Sequence, residues 1–183
     1  MTRSAIISVL ILAAAAASAQ QRPYAGLEQR PLKALSAEQI ADLRAGRGMN
    51  LALAAELNGY PGPVHVLEHA DALALTAQQR ERTRTHHEAM KNEAIALGER
   101  LIGEETALDR AFADRTITPQ ILADATAAIG RTQAALRATH LRYHLAQAEL
   151  LSAEQMRRYA ELRGYAPGGQ GHSGPHHPGM HRN

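Results

Sequence analysis

A pentapeptide, Leu-Thr-Ala-Gln-Gln at residues 75–79, recurs as Leu-Ser-Ala-Glu-Gln at residues 35–39 and at residues 151–155. Each copy has a hydroxyl residue three positions before a Gln, which is the pattern of a helix capping box. In such a box the hydroxyl oxygen accepts from the amide of the Gln residue, and the Gln side chain accepts from the amide of the cap residue. The Leu in front forms the outer half of a hydrophobic staple. The three copies therefore predict three helix starts.

The apolar spacing after these boxes predicts how far the helices extend. One helix is predicted after each box, over residues 36–44, 76–114 and 152–163. Another is predicted from Thr118 to about Leu150, with Pro119 at its first position, where a missing N–H costs no hydrogen bond. Two shorter helices are predicted over residues 49–57 and 63–73.

The two long helices share an apolar spacing of alternately three and four residues. On the later helix it falls on Leu122, Ala125, Ile129, Thr132, Leu136, Thr139, Tyr143, Ala146 and Leu150. On the earlier helix it falls on Met90, Ala94, Leu97, Leu101, Leu108 and Ala111. This spacing predicts an all-α fold built on a long antiparallel helical hairpin with short flanking helices. Because alanine buries little area, we expect dimerisation to complete the core.

The composition excludes several classes of protein. The chain has 183 residues and no cysteine, so disulfide scaffolds, thiolate metal sites and cysteine nucleophiles are ruled out. Its 20 basic and 18 acidic residues nearly balance, which does not favour a nucleic-acid partner. We find no glycine-rich phosphate loop, no nucleophile elbow and no paired carboxylates in a plausible cleft. We therefore expect a protein that is not an enzyme.

The chain divides into four segments. Residues 1–19 have a basic start, an apolar stretch and Ala-Ser-Ala at the end, which predicts a cleaved signal peptide; an uncleaved membrane anchor is the alternative. The mature protein is then expected in the periplasm and does not span the membrane. Residues 20–34 are predicted to be an irregular lead, and residues 35–165 the helical domain. Residues 166–183 are rich in His, Gly and Pro and are expected to be disordered.

The export signal, the helical body and the repeated boxes resemble the Spy/CpxP-like periplasmic proteins, also called the LTxxQ family. The matching boxes are residues 75–79 and 151–155, and the resemblance covers residues 63–165. The copy at residues 35–39 and the stretch from Arg47 to Pro63 are similar to an N-terminal extension of a heavy-metal-sensor-like subgroup. The resemblance implies a helical hairpin that dimerises into a cradle. Some such relatives hold unfolding clients without ATP, and others bind zinc, copper or nickel and restrain a signalling system.

The ten histidines suggest a metal site. His140 and His144 are four residues apart on a predicted helix, so their imidazoles lie on one face and can share Zn²⁺, Ni²⁺ or Cu²⁺. The alternative is a pair of partly exposed histidines at the edge of a helix interface. His65 and His69 have the same spacing and the same alternative. His86 and His87 are neighbours, which point about 100° apart, so a solvated face is favoured there.

The C-terminal tail holds the second group of candidate ligands. His172, His176, His177 and His181 fall within ten residues, together with Met180. Histidine-rich tracts bind borderline metals, although a solubilising tail is an equal alternative.

Three functions remain open from the sequence. The first is a metal-responsive binding protein in envelope-stress or heavy-metal resistance signalling, whose partner is a membrane sensor's periplasmic domain. The second is an ATP-independent chaperone for unfolded clients, with incidental histidines. The third is a helix pair with a purely structural role. Arginines 80, 82 and 84 suggest either a solvated face or a basic patch for an acidic client or sensor.

Overall fold

A computed structural model of the chain describes residues 24–165. After a 3-10 turn at Leu27–Gln29, the helices are α1 (Ala37–Arg44), α2 (Leu53–Glu56), α3 (Pro63–Glu68), α4 (Ala77–Ala113), α5 (Pro119–Leu150) and α6 (Ala153–Leu162). No β-strand occurs in this part of the chain, so the all-α prediction is confirmed. The predicted signal peptide and the His-rich tail lie outside the described residues.

All three predicted capping boxes form. Ser36, Thr76 and Ser152 are the N-caps of α1, α4 and α6, and each accepts from the amide of the Gln three residues on. In each box the Gln side chain also accepts from the cap amide, at 2.8 to 3.0 Å. Thr118 caps α5 by accepting from the Ile121 amide at 3.2 Å. The predicted starts of these four helices are therefore confirmed.

The two short helices were predicted too long. The helix predicted over residues 49–57 is only Leu53–Glu56, because Met49 and Asn50 have φ values of 44° and 64°. Such left-handed residues cannot continue a right-handed helix. The helix predicted over residues 63–73 ends at Glu68, and Ala74 is again left-handed, with a φ of 48°.

Helices α4 and α5 pack along each other in opposite directions. Side-chain hydrogen bonds join Gln147 to Thr83 at 3.1 Å, and Tyr143 to Glu93 at 2.7 Å. Arg142 also pairs with Glu93, so one carboxylate of α4 binds two side chains of α5. The apolar core between these helices and α1 consists of Leu43, Ala94, Leu101, Ile102, Ile129 and Leu136.

The buried face of α5 differs from the prediction at both ends. Leu122 was expected in the interface but is 40% exposed. Beyond Thr139, Tyr143 and Ala146 were the positions predicted to face α4. The buried residues there are instead His140, His144 and Gln147. An α-helix that is not supercoiled drifts away from a 3.5-residue spacing. In addition, α2 and α3 cover this side of α5, so side chains beside the predicted line become buried.

Helix α1 contacts α4 at a glycine. A Cβ built on Gly98 would lie 2.5 Å from the carbonyl oxygen of Leu43. A side chain at this position would therefore separate the two backbones. Gly103, five residues further along α4, has nothing within 4 Å of its Cβ position. The close contact between α1 and α4 therefore explains why glycine occupies position 98, but it does not explain the glycine at position 103.

Two of the boxes contact each other through their glutamines. The amide nitrogen of Gln79 donates to Oε1 of Gln155 at 2.9 Å, and that of Gln155 donates to Oε1 of Gln79 at 3.0 Å. Each nitrogen also donates to a backbone carbonyl, of Leu150 and Leu73 respectively. Each oxygen accepts from its own cap amide as well. The pair thus joins the start of α4 to the start of α6.

A second apolar cluster surrounds this glutamine pair. Leu75 and Leu151, the residues that precede the two caps, are 6% and 8% exposed. They pack with Val66, Ala70, Leu73 and Tyr159, and with the partly buried Met156 and Leu162. Among residues 24–165, no helix has the length and apolar character that are needed to cross a membrane.

Changing Gln155 to Glu tests the glutamine pair. The carboxylate still accepts from the cap amide, but it places an oxygen against Oε1 of Gln79 and against the carbonyl of Leu73. We expect the free energy of unfolding to fall by about 1–3 kcal/mol, because two acceptors lose their donor. Urea unfolding followed by circular dichroism measures this change.

The matched control is Gln39→Glu. Gln39 occupies the same position in the box of α1, but its side chain bonds only to the cap amide. Glu is an equally good residue there, so we expect a change within about 0.5 kcal/mol. Equal losses in the two variants would show that the glutamine pair adds nothing to the capping boxes.

Candidate functional site

A cavity with a volume of about 600 Å³ lies beside the C-terminal half of α5. We call it the histidine cavity. Its walls come from the loop after α1, from α2, from the start of α3, from α4 and from the end of α6. Its lining includes Gly48, Met49, Glu56, Gly62, His65, His87, Met90, Lys91, His140, His144, Arg163 and Tyr165.

His144 is held in one orientation. Its Nδ1 lies 2.7 Å from the carbonyl oxygen of Tyr60. Because a carbonyl oxygen only accepts, Nδ1 must carry the hydrogen, and Nε2 is the nitrogen with the free lone pair. A Cβ built on Gly62 would lie 3.1 Å from that Nε2. The absence of a side chain at Gly62 therefore leaves the ligating edge of the imidazole uncrowded.

His140 is more deeply buried, at 2% exposure, and its Nε2 has no hydrogen-bond partner. Burial, followed by the nearby His144, lowers the pKa of His140 below its usual value. The neutral imidazole is the form that binds a metal ion. Gly48 passes over the other edge of the ring, where its Cβ position is 3.9 Å from Nδ1.

The alternative interpretation of this pair, two partly exposed histidines at the edge of a helix interface, is wrong, because His140 and His144 are 2% and 8% exposed. Both imidazoles lie inside the packing of α5 against α2, α3 and α4. His65 and His69, the other pair with a spacing of four residues, contact different side chains. His65 is 2.9 Å from Glu68, and His69 lies edge-on to the ring of Tyr159.

His86 and His87 are half-buried rather than solvated. His87 lines the histidine cavity, whereas His86 lies beside the ring of Tyr143, so the two do not share a site. Burial and the charge of Lys91 lower the pKa of His87. The arginines after Thr76 are partly engaged, since Arg80 pairs with Asp71 and Arg84 with Glu81.

A buried carboxylate organises the wall of the cavity. Glu56 is 7% exposed and accepts from the hydroxyl of Tyr159 at 2.5 Å and from the amide of Gly62 at 3.1 Å. The hydroxyl of Tyr165 donates to it at 3.2 Å, and Arg163 lies 3.3 Å away. Burial and the bond to Glu56 raise the pKa of Tyr159, which keeps its hydroxyl protonated. Glu56 therefore ties α2 to α6 and to the backbone that borders His144.

Of the two groups of predicted metal ligands, only one lies within the described residues. His140 and His144 line one cavity. His172, His176, His177 and His181 lie outside the described residues. Within residues 24–165, no three His, Asp or Glu side chains are placed together as an ion-binding group.

Sequence reasoning missed Glu56 and Gly62. A single Glu in a four-residue helix has no spacing that marks it as buried. The stretch from Gly59 to Pro63 was interpreted only as a turn, although its carbonyl at Tyr60 and its glycine at position 62 shape the surroundings of His144. The only available signal was the concentration of glycine and proline between two apolar segments.

Comparisons with protein-family models, with curated proteins and with solved structures found no match to this chain. The geometry of the histidine cavity therefore supplies the evidence on function.

The burial of His140 predicts a pH dependence of stability. A histidine whose pKa is lower in the folded state binds fewer protons there than in the unfolded chain. Its contribution to stability is complete above the unfolded pKa of about 6.5 and is lost as the pH falls through and below that value. We expect the free energy of unfolding, measured by urea titration with a chelator present, to fall between pH 7.5 and pH 5.

His140→Gln identifies the group that is responsible. This variant does not titrate in that range, so its stability should depend less on pH than that of the wild type. If the two proteins show the same pH dependence, the burial of His140 is not its source.

Proposed function

We propose that this protein binds a borderline transition metal ion in the histidine cavity, with the Nε2 atoms of His140 and His144 as ligands. Zn²⁺, Ni²⁺ and Cu²⁺ are the ions that imidazole ligands suit. The observation that carries the proposal is the unpartnered Nε2 of His140, which is buried one helical turn from an imidazole whose free nitrogen is set by hydrogen bonding. An unpaired buried polar atom costs free energy, and metal coordination offsets that cost.

The surroundings of His144 favour this proposal. Ligating histidines commonly donate their other ring nitrogen to a carbonyl or carboxylate, which fixes the ring and raises its basicity. His144 donates in this way to the carbonyl of Tyr60, and Glu56 lies 3.8 Å from the same nitrogen.

We propose further that the protein is of the Spy/CpxP-like type and acts in the periplasm, in envelope-stress or heavy-metal resistance signalling. The signal-like residues 1–19, the boxes at residues 75–79 and 151–155, and the histidine excess support this role. The proposed partner is the periplasmic domain of a membrane sensor. We propose that binding to this partner depends on whether the metal site is occupied.

Calorimetric titration of residues 20–183 with Zn²⁺, Cu²⁺ and Ni²⁺ tests metal binding. We expect a stoichiometric event with a Kd below about 10 μM for at least one ion. The double variant His140→Ala, His144→Ala should lose it, because both ligands are removed. The control is His86→Ala, whose side chain lies beside the ring of Tyr143 and outside the lining of the cavity. Binding that is unchanged in the double variant contradicts the proposal.

A chaperone role is the second candidate, and the exposed apolar side chains favour it. Leu53, Leu57 and Tyr60 are 41–58% exposed around α2, and Phe112, Ile121 and Leu122 are 40–54% exposed where α4 meets α5. Suppressed aggregation of a denatured client, with no dependence on metal and no stoichiometric metal binding, supports this role.

We also propose that the protein is a homodimer. The first two turns of α5 are largely exposed among the described residues, and Ile121 and Leu122 there are 42% and 40% exposed. Light scattering at micromolar concentration should give the dimer mass for the wild type and the monomer mass for Leu122→Asp. Leu145→Asp, which changes a leucine further along α5 that is 52% exposed, should remain dimeric. A monomeric wild type contradicts the proposal.

A further inference from the structure

The pair formed by His140 and His144 is an incomplete set of ligands. A closed zinc site takes four ligands, but no three His, Asp or Glu side chains come together as an ion-binding group within residues 24–165. The carboxylate in the cavity wall, Glu56, is already engaged by two tyrosine hydroxyls and by the amide of Gly62. An ion that is held at the pair therefore keeps open positions, which a further ligand can fill.

The histidine cavity has room for a small molecule beside the pair. Its volume of about 600 Å³ lies within the range of small-molecule sites, which is about 300–1,000 Å³. The two imidazoles are buried, whereas Arg47, Asn50 and Lys91 in the same lining are exposed. The cavity therefore extends from buried imidazoles to a side that solvent reaches, and a small molecule that carries an ion can enter there.

The charged side chains of the lining are mostly cationic. They are Arg47, Lys91 and Arg163, against the single carboxylate of Glu56. Arg163 lies 3.3 Å from Glu56, and Arg47 pairs with an aspartate of α1. Lys91 has no ion pair within residues 24–165. It is therefore the cation of the lining that remains available to an anionic ligand.

Lys91 and His140 lie against the same loop, which follows α1. A Cβ built on Gly46 would lie 3.3 Å from Cγ of Lys91. One built on Gly48 would lie 3.9 Å from Nδ1 of His140. Residues two apart in a chain are separated by at most about 7 Å. After burial, the charge of Lys91 is the next cause that lowers the pKa of His87, which also lines the cavity. A molecule of a few carbon atoms can therefore connect an ion at the pair to the ammonium.

We propose that the histidine cavity takes its metal ion as a complex with a small polycarboxylate. His140 and His144 bind the ion, carboxylate oxygens of the small molecule fill further positions, and a remaining carboxylate binds Lys91. Nitrogen and oxygen donors together suit Cu²⁺ and Ni²⁺, and a carboxylate forms a charge-assisted hydrogen bond with an ammonium. This inference rests on the proposed metal binding. It makes the ligand a chelated ion rather than the bare ion.

Equilibrium dialysis with labelled Ni²⁺ and labelled citrate tests the ternary site. The protein, residues 20–183, is dialysed against Ni²⁺ alone, citrate alone and the two together. We expect citrate to be retained only when Ni²⁺ is present, at one citrate per ion, because the carboxylates are held mainly through the metal.

Lys91→Gln separates binding of the complex from binding of the bare ion. The Kd of the Ni²⁺–citrate complex should rise about three- to fivefold, because an exposed charge pair is lost. Bare Ni²⁺ should bind this variant at least as tightly as the wild type, because the removed ammonium repels the ion. The matched control is Lys33→Gln, which changes the other lysine of the chain. Lys33 pairs with Asp109 and lies outside the lining of the cavity. Circular dichroism checks that each variant is folded.

The failures are distinguishable. Citrate that removes Ni²⁺ from the wild type, or that is retained without Ni²⁺, overturns the ternary site, as does a wild type that retains no Ni²⁺ under either condition. Equal effects of Lys91→Gln and Lys33→Gln overturn it as well. None of these results removes a metal site at the histidine pair, which the calorimetric titration tests with all three ions. Full retention of Ni²⁺ by the double variant His140→Ala, His144→Ala overturns the proposed function itself.

Discussion

The reciprocal hydrogen bonds between Gln79 and Gln155 are the interaction on which the rest of the fold depends. Helices α4 and α6 both begin at this point, and both glutamine oxygens also accept from their own cap amides. Every polar atom of the two amides is satisfied in a partly buried place, where an unpaired one would be costly. The pair closes the end of the α4–α5 pair opposite its turn and positions α6 over the apolar cluster of Leu75, Leu151 and Tyr159.

Polar contacts connect α6 to the wall of the histidine cavity. Tyr159 is buried at 2% exposure, and its hydroxyl reaches Glu56 on α2. Glu56 in turn accepts from the amide of Gly62, two residues after the carbonyl that orients His144. A buried carboxylate is tolerated here because it has several donors and the cation of Arg163 beside it. The orientation of the candidate ligand is thus a consequence of packing remote from it, and the same contacts keep Tyr165 at the cavity wall.

The errors in the sequence reasoning have specific physical causes. The 3.5-residue pattern assumed that α5 has one partner along its whole length. Between Thr139 and Leu150 it is also covered by α2 and α3, so the buried face turns toward His140 and His144. The helix predicted over residues 49–57 was overextended because Met49 and Asn50 are left-handed, and no glycine at these positions signals a break. The helix predicted over residues 63–73 stops at Glu68 because His69 leaves the helical region, with a φ of −105° and a ψ of 17°.

The sequence by itself determined the all-α class and the starts of α1, α4, α5 and α6, because a capping box and a Thr-Pro start are local and satisfy backbone groups within a few residues. It also identified His140 and His144 as a pair on one helical face. Only the tertiary structure decided that both imidazoles are buried, that Nε2 of His144 is the free nitrogen, and that Glu56 joins the helices around them. These features depend on contacts between residues up to 109 positions apart, and no local pattern encodes such contacts.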